Sequence, residues 1–298
     1  MSILGNLALR GPADEPVDFR RLLTSHGVAD LAPNTIDLDR WILETTVGLD
    51  GGAQTIRVFE AEPGVLRVES AAPLRGAKIK ARLVGIARHL LRLEDDLSGF
   101  YERARKDRAL SWVTSGAGRM LRSQTVFEDV VKTICTTNCA WSATVRMTTA
   151  IVGELGPEAA DGRRGFPSPS TMAEAPVEFY TDVVRAGYRG AYLRRLATDV
   201  AEGRLDLEEL ADPALSDLEV EQRLLALPGV GPYAAAHVML TSLGRYGRLI
   251  LDSWTRPKYA KVTGRKAADD AINRRFRRYG EYAGLAFWMM LTRDWVED

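Results

Sequence analysis

The segment LPGVG at residues 227–231 places two glycines between two apolar helical runs. Glycine has no Cβ, so its backbone can approach a ligand closely. The following helix is predicted to begin at Pro232, a favoured first-turn residue, and its free N–H groups suit an anion such as a phosphate. The alternative is a plain tight turn, because short glycine-containing turns between helices are common.

A second candidate for chemistry is Asp252, which follows the apolar run LIL and lies 19 residues after Tyr233. A carboxylate held in a cleft can stabilise a developing positive charge or orient a water molecule. Asp is also a favoured helix N-cap, and the two roles can coexist. Pro257 follows closely, and its ring and missing N–H predict that the next helix starts late or kinks.

Composition limits the function classes only weakly. The 298 residues carry 40 basic and 40 acidic side chains, so the protein as a whole does not attract polyanions by its net charge. A polyanion would have to bind a local basic face, such as residues 256–278. That stretch is equally compatible with a solvated helix surface. Cys135 and Cys139 by themselves cannot supply the four ligands of a zinc site or an iron–sulfur cluster, so we expect neither. No secretory signal or membrane-length apolar run is evident, which favours a cytoplasmic, nucleoid-associated protein.

The chain changes character near residue 80. Residues 36–80 contain short, β-branched, partly alternating runs separated by glycine-rich breaks, which predict strands. Later runs such as FEDVVKTICTT and ATVRMTTAIVGEL have apolar residues at helical spacing. This order predicts an α+β fold, with an antiparallel sheet beside an all-helical body. The first thirty residues have no clear pattern.

Five motifs in order carry a family resemblance. LPGVGPYAAAHV with an Asp about twenty residues later resembles the helix–hairpin–helix DNA glycosylase superfamily. MLRSQTVFEDVVKTICTTNCAWSAT, RGFPSPSTMAEA, AGYRGAYLRRLA and EYAGLAFWMML resemble segments of its branch that contains 8-oxoguanine DNA glycosylase and the AlkA-type 3-methyladenine glycosylases. The resemblance implies an N-terminal sheet domain (1–118), a helical domain ending in the hairpin (119–233) and a C-terminal segment (234–298). That last segment would pack with helix 119–137, leaving the active-site cleft between the two helical domains.

The resemblance also implies a reaction on double-stranded DNA. Such enzymes swing a damaged nucleotide out of the duplex and hydrolyse its N-glycosidic bond. Asp252 matches the family's invariant Asp. Tyr233 stands where bifunctional members have the Lys that forms a Schiff base, so the sequence predicts a monofunctional glycosylase that leaves an abasic site unnicked.

Further positions match the family's DNA-contacting residues. Backbone N–H groups of the hairpin would bind phosphate, one Asn would contact the bases around the gap, and an aromatic residue would act as a wedge. The carbonyls of Leu225, Leu227 and Val230 would hold K⁺ or Na⁺. The predicted DNA-binding residues are Asn138, Tyr188, Arg189, Gly229, Val230 and Gly231. A helix-capping Asn and a packed Tyr are equally compatible with the pattern.

The base pocket is where the pattern departs from 8-oxoguanine enzymes. The positions that match their specific readers are His237, Phe287 and Leu291. Together with Trp254 and Trp288 these predict an aromatic pocket, which attracts cationic alkylated purines. These aromatics fit a hydrophobic core as well. Uracil, thymine-mismatch, hypoxanthine or oxidised-purine release is the alternative within the superfamily. A non-catalytic DNA-binding protein or a structural helical protein is the alternative outside it. Relatives usually act as monomers.

Overall fold

The computed structural model describes residues 2–296, and within that range one antiparallel sheet precedes most of the helices, with a short helix at Phe19–Leu23 between its first two strands. Its five strands lie in the order β1-β5-β4-β3-β2. The predicted α+β class is confirmed. The strands are β1 Ser2–Ala8, β2 Asn34–Asp37, β3 Ile42–Leu49, β4 Gly52–Glu62 and β5 Val65–Ser70.

The two central strands show why this part of the chain folds as a sheet. Leu43 and Val47 on β3 and Ile56 and Val58 on β4 are buried, and Leu43 pairs with Val58. These alternating β-branched and aliphatic residues form one apolar face. Leu83 of α2 is also fully buried in this cluster, so α2 covers that face. Strand β1 was not predicted, because its residues SILGNLA do not alternate between apolar and polar.

Most of the remaining chain is helical, and its longer helices match the predicted runs. Shorter single-turn helices connect them, including one at Gly27–Asp30 and one at Arg293–Trp295. The α-helices are α1 Phe19–Leu23, α2 Ala77–Leu90, α3 Ser98–Arg105, α4 Val126–Thr136, α5 Trp141–Leu155, α6 Pro169–Glu174, α7 Arg189–Ala201, α8 Asp217–Leu225, α9 Pro232–Thr241, α10 Thr255–Thr263, α11 Asp269–Phe276 and α12 Ala283–Thr292.

The helices from α3 onward form two bodies with separate apolar cores, whereas α1 and α2 pack with the sheet. One core contains buried residues of α4, α5 and α7–α9, and the other joins residues 97–120 to the helices from α9 onward. Within the C-terminal segment 234–298, α9 packs against α4, whereas α10–α12 pack with residues 97–120. The predicted division into domains at residues 118 and 233 stays a prediction.

Helix α9 connects the two bodies because it is apolar on every side. Ala235 and Val238 are buried in the first core, whereas Ala236 and Leu240 are buried in the second. Such an all-round apolar helix needs neighbours on all faces. The start of α9, at Tyr233, therefore lies where the two bodies meet. None of the helices within residues 2–296 has the length and apolar character needed to cross a membrane.

Candidate active site

The hairpin between α8 and α9 leaves its backbone accessible on one side. Gly229 has φ 81°, and a Cβ added there would lie 2.8 Å from a ring carbon of Tyr192. Gly231 has no neighbouring atom within 4 Å of the position of an added Cβ. The first glycine is thus required by the turn, and the second leaves open space in front of the backbone. Pro232 begins α9, as predicted.

Asp252 lies two residues after buried Ile250, and hydrogen bonds to its carboxylate fix the side chain. Its Oδ1 accepts hydrogen bonds from the backbone N–H groups of Trp254 at 2.9 Å and Thr255 at 2.6 Å. The Asp252 N–H in turn donates to Thr255 Oγ1 at 2.8 Å. This reciprocal arrangement fixes the side chain at the start of α10. Oδ2 accepts no hydrogen bond within residues 2–296, so it remains available to a ligand.

Pro257 does not disturb this arrangement. Helix α10 begins at Thr255, so Pro257 is its third residue and lies in the first turn. N–H groups of a first turn have no intrahelical partner, so the missing donor costs no helix bond. A helix capped by Asp252 would begin at residue 253, so α10 starts two residues later, in agreement with the predicted late start.

Tyr233 faces Asp252 across the start of α9. Its hydroxyl lies 3.4 Å from Thr136 Oγ1, at the end of α4. Burial raises the pKa of Tyr233, and the negative charge of Asp252 raises it further. The side chain is therefore a neutral phenol beside the carboxylate, and it provides no amine.

Four tryptophans enclose a cavity of about 370 Å³ next to these residues. The rings of Trp254, Trp288 and Trp295 lie with centroids 5.6–5.9 Å apart, and Trp141 lines the same space. The indole N–H of Trp288 donates to the carbonyl of Ser25 at 2.7 Å, which fixes that ring. We call this space the tryptophan cavity. Its aromatic surfaces suit a flat, electron-poor ligand.

A second space, the hairpin cleft, adjoins the tryptophan cavity. The cleft measures about 540 Å³ and contains the hairpin glycines, Asn138 and Tyr188. Asp252, Tyr233 and Thr136 line both spaces, so they lie at the junction between them. A group passing from the cleft into the cavity would pass the Asp252 carboxylate.

His237 lies at the wall of the tryptophan cavity and is buried. Its Nδ1 is 3.4 Å from the hydroxyl oxygens of both Thr133 and Thr241. Burial, and then the charge of nearby His26, lower its pKa to about 3. The two imidazole rings lie 5.7 Å apart. A neutral imidazole does not repel a cationic base.

Two predicted pocket residues lie in the core instead. Phe287 is fully buried and packs against Tyr259 and Phe276, and Leu291 is buried in the same cluster. Helix α12 is buried along its whole length, so its aromatic residues serve the core on one side and the cavity on the other. Trp288 faces the cavity, whereas Phe287 and Leu291 do not line it.

Asn138 and Tyr188 lie together at the edge of the hairpin cleft. Asn138 has φ 47°, is exposed, and donates from Nδ2 to the Tyr188 hydroxyl at 3.4 Å. The Tyr188 side chain is 55% exposed. Both side chains are therefore accessible to a large ligand in the cleft.

Arg189 has a different environment from the one predicted. It is only 7% exposed, and its guanidinium donates to the carbonyl of Thr137, to Thr137 Oγ1 at 3.3 Å and to the carbonyl of Ala186 at 3.5 Å. These bonds hold the turn that precedes Asn138. These donors face protein oxygens, an arrangement that supports a positioning role, and the predicted contact of Arg189 with DNA stays a prediction.

Segment 25–28 contributes to the cavity, and no sequence pattern predicted it. Gly27 and Val28 line the tryptophan cavity, and buried His26 lies behind it. Trp141 and Trp295 also line the cavity without having been predicted. A large aromatic residue among the small and polar residues of NCAWSAT is the one sequence signal for Trp141.

Residues 2–296 contain no group of three or more His, Cys, Asp or Glu side chains suited to a metal ion. Cys135 is buried, which raises the pKa of its thiol to about 12, and Cys139 lies beyond the end of α4. In the hairpin, the Leu227 carbonyl accepts a hydrogen bond from Val230 N–H at 3.2 Å. The predicted monovalent cation at these carbonyls stays a prediction.

The sheet, the two helical bodies and the hairpin beside a carboxylate form a fold that solved 3-methyladenine and 8-oxoguanine DNA glycosylases share. A 3-methyladenine DNA glycosylase from Archaeoglobus fulgidus is 20% identical with a TM-score of 0.73, covering 99% of this chain and 100% of that one. The 8-oxoguanine glycosylase/lyase of Clostridium acetobutylicum is 17% identical with a TM-score of 0.71, covering 93% of each chain. The resemblance stated from five motifs is confirmed at the level of the fold.

Similarity in sequence is more limited. A Bacillus subtilis protein, YfjP, provisionally named a DNA-3-methyladenine glycosylase, is 26% identical over 137 residues. The match covers 44% of this chain and 47% of the relative, so it spans about half of that protein's length. No protein-family model matches the chain.

Proposed function

We propose that the protein is a DNA glycosylase that hydrolyses the N-glycosidic bond of a damaged nucleotide, with Asp252 as its catalytic residue. One observation carries the proposal: the Asp252 carboxylate lies where the hairpin cleft adjoins the tryptophan cavity. A duplex bound at the hairpin could place a flipped base in the cavity and its sugar beside the carboxylate. Extrusion costs on the order of a few kcal/mol, least for a damaged base.

The geometry suits a reaction in which the base leaves before or as water attacks. The bond from sugar C1′ to the base nitrogen breaks, and the base keeps the electron pair. Water forms the new bond to C1′ and loses a proton to Asp252 or to solvent. Oδ1 is held by two N–H groups, so Oδ2 is the oxygen free to face the positive sugar.

The side chain of Tyr233 supports a monofunctional reaction. A Schiff base requires an amine that attacks the sugar, and a neutral phenol beside Asp252 cannot form one. The product would be an abasic site in an unbroken strand. The Clostridium enzyme of the same fold is described as a glycosylase/lyase, so strand cleavage needs a direct measurement.

Alkylated purines of the 3-methyladenine type are the substrates that the cavity supports best. Such bases are cationic, and ring faces attract cations by about 0.5–2 kcal/mol. Neutral His237 adds no opposing positive charge. The names of the Archaeoglobus and Bacillus proteins point to the same substrate class. The pathway would be base excision repair.

The DNA would lie across the hairpin cleft. Backbone N–H groups of Gly229 and Gly231 would bind phosphate, with K⁺ or Na⁺ at the hairpin carbonyls, while Asn138 and Tyr188 would contact the bases around the gap. Val230, whose N–H donates to the Leu227 carbonyl, would hold the hairpin between them. The Clostridium glycosylase has been solved in complex with double-stranded DNA. We expect a nucleoid-associated monomer without zinc or an iron–sulfur cluster.

The test uses duplex oligonucleotides that each carry one lesion: an alkylated purine, 8-oxoguanine opposite C, uracil or thymine opposite G, or hypoxanthine. Reactions are quenched with and without hot alkali. Cleavage of the alkylated duplex only after alkali is the expected result. Cleavage without alkali would overturn the role given to Tyr233. Release of another lesion instead would make that lesion the substrate class in place of alkylated purines. DNA binding without release of any base would favour a non-catalytic DNA-binding protein.

A further inference from the structure

A second apolar space opens beside the tryptophan cavity. It measures about 500 Å³ and lies between the single-turn helix at Gly27–Asp30, the β2 region and the start of α5. We call it the side groove. Its lining is mostly aliphatic and aromatic, and it includes Leu31, Ile36, Leu38 and Val145.

The side groove adjoins the tryptophan cavity. Gly27, Trp141 and Trp295 line both spaces. A Cβ added at Gly27 would lie 3.5 Å from a ring carbon of Trp141, an ordinary contact distance, so Gly27 and the Trp141 ring form part of the boundary that the two spaces share. A ligand in the cavity therefore has an apolar space next to it.

The apolar walls of the groove are also exposed. Leu38 is 54% exposed, Trp141 50% and Val145 40%. Large apolar side chains that are exposed together mark a surface that contacts a ligand or partner. The groove adjoins the cavity that would receive the base. Its position therefore favours a substituent on that base as the occupant.

We propose that the side groove receives a bulky apolar substituent carried by the flipped purine, so that the substrates include purines with N-linked groups much larger than methyl. This inference rests on the proposed glycosylase function. The tryptophan cavity, at about 370 Å³, is near the small end of ligand pockets (about 300–1,000 Å³), whereas the groove adds about 500 Å³. Burial of the apolar substituent there would contribute binding energy in proportion to its area.

The experiment compares DNA treated with a methylating agent and DNA treated with a benzylating agent. Released bases are separated by chromatography, which reports every N-substituted purine regardless of the position of the substituent. We expect the wild-type protein to release benzylated as well as methylated purines. The quantity of interest is the ratio of the two release rates.

Val145→Trp is the main variant because Val145 lines the groove and not the tryptophan cavity. The larger ring would fill the groove, so the benzyl-to-methyl ratio should fall at least about tenfold, the scale for steric discrimination in an apolar pocket. Val177→Trp is the matched control, since Val177 is 53% exposed and lines neither space. Its ratio should equal that of the wild type.

Leu38→Gln provides an independent test that does not depend on filling space. A polar amide at the groove wall should lower the ratio about fourfold, on the scale of one buried methylene. Methylated-base release by each variant shows that the protein is folded. An unchanged ratio in both variants, or release of methylated but not benzylated bases by the wild type, would overturn the inference and leave the proposed function standing. Release of neither base by the wild type would overturn both.

Discussion

The clearest test of how the DNA-facing side is built is Arg189→Met. The buried guanidinium donates to two backbone carbonyls and to the hydroxyl of Thr137, and it lies 4.6 Å from the ring centre of Tyr188. Methionine keeps much of the length but leaves the partly buried carbonyl of Thr137 without this donor. A buried polar group that loses its partner costs about 1–3 kcal/mol.

The loss of stability should appear in a thermal melt. With about 2 cal/mol/K of unfolding entropy per residue, a cost of about 2–3 kcal/mol lowers the Tm of a chain this long by about 3–5 °C. Arg195→Met is the matched control, because Arg195 lies on the same helix but is exposed and pairs with Asp199. Exposed ion pairs contribute about 0–1 kcal/mol, so its Tm should change little.

DNA binding distinguishes this role from direct phosphate contact. The weakened turn before Asn138 should raise the Kd of Arg189→Met for duplex DNA. The slope of log Kd against log salt should stay the same, because no phosphate contact is lost. An unchanged Tm together with a salt slope reduced by about one would refute the positioning role and make Arg189 a phosphate ligand.

Three further predictions concern the hairpin, the buried histidines and the cavity. Gly229→Ala should destabilise the protein by about 1–2 kcal/mol because its φ is 81°. Gly231→Ala should leave Tm unchanged because space is open there, and it should weaken DNA binding because the added Cβ stands in front of the backbone that contacts phosphate. Burial lowers the pKa of His26 to about 4 and that of His237 to about 3. Below about pH 6.5 the unfolded chain therefore binds more protons than the folded one. The free energy of unfolding should be at its full value above about pH 6.5 and fall towards pH 4, by up to about 1.4 kcal/mol per pH unit for each histidine. Melts across this range should show a flatter dependence in His237→Asn; an equally steep one would contradict the assignment. Trp254→Ala should slow alkylpurine release about tenfold with little change in Tm, as the side chain is 40% exposed; an unchanged rate would remove it from the base site.

The sequence pattern was sufficient for the fold where periodicity was strong. The alternation in β3–β5 and the helical spacing in α4 and α5 predicted those elements, and the turn residues at the hairpin predicted the start of α9 at Pro232. Segment 25–28 was not predicted to reach the cavity. Its residues have no period, and their position depends on tertiary contacts such as Ser25 with Trp288, 263 residues apart.

Individual site residues were harder to assign than elements. Phe287 and Trp288 are adjacent in a helix buried on every side, so no apolar stripe distinguishes the cavity face from the core face. Arg189 follows an exposed Tyr and has the charge expected of a DNA contact. Its burial arises from the turn at Thr137, 52 residues away in the sequence. Contacts of this kind are created by the fold and leave no local pattern.

The most direct test of the account is single-turnover base release by Asp252→Asn. Asparagine keeps the oxygen that accepts from Trp254 and Thr255, so the start of α10 and the Tm should be preserved while the negative charge is lost. We predict that release of an alkylated purine falls at least about hundredfold with DNA binding retained. Release at the wild-type rate by the folded variant would contradict a catalytic role for Asp252.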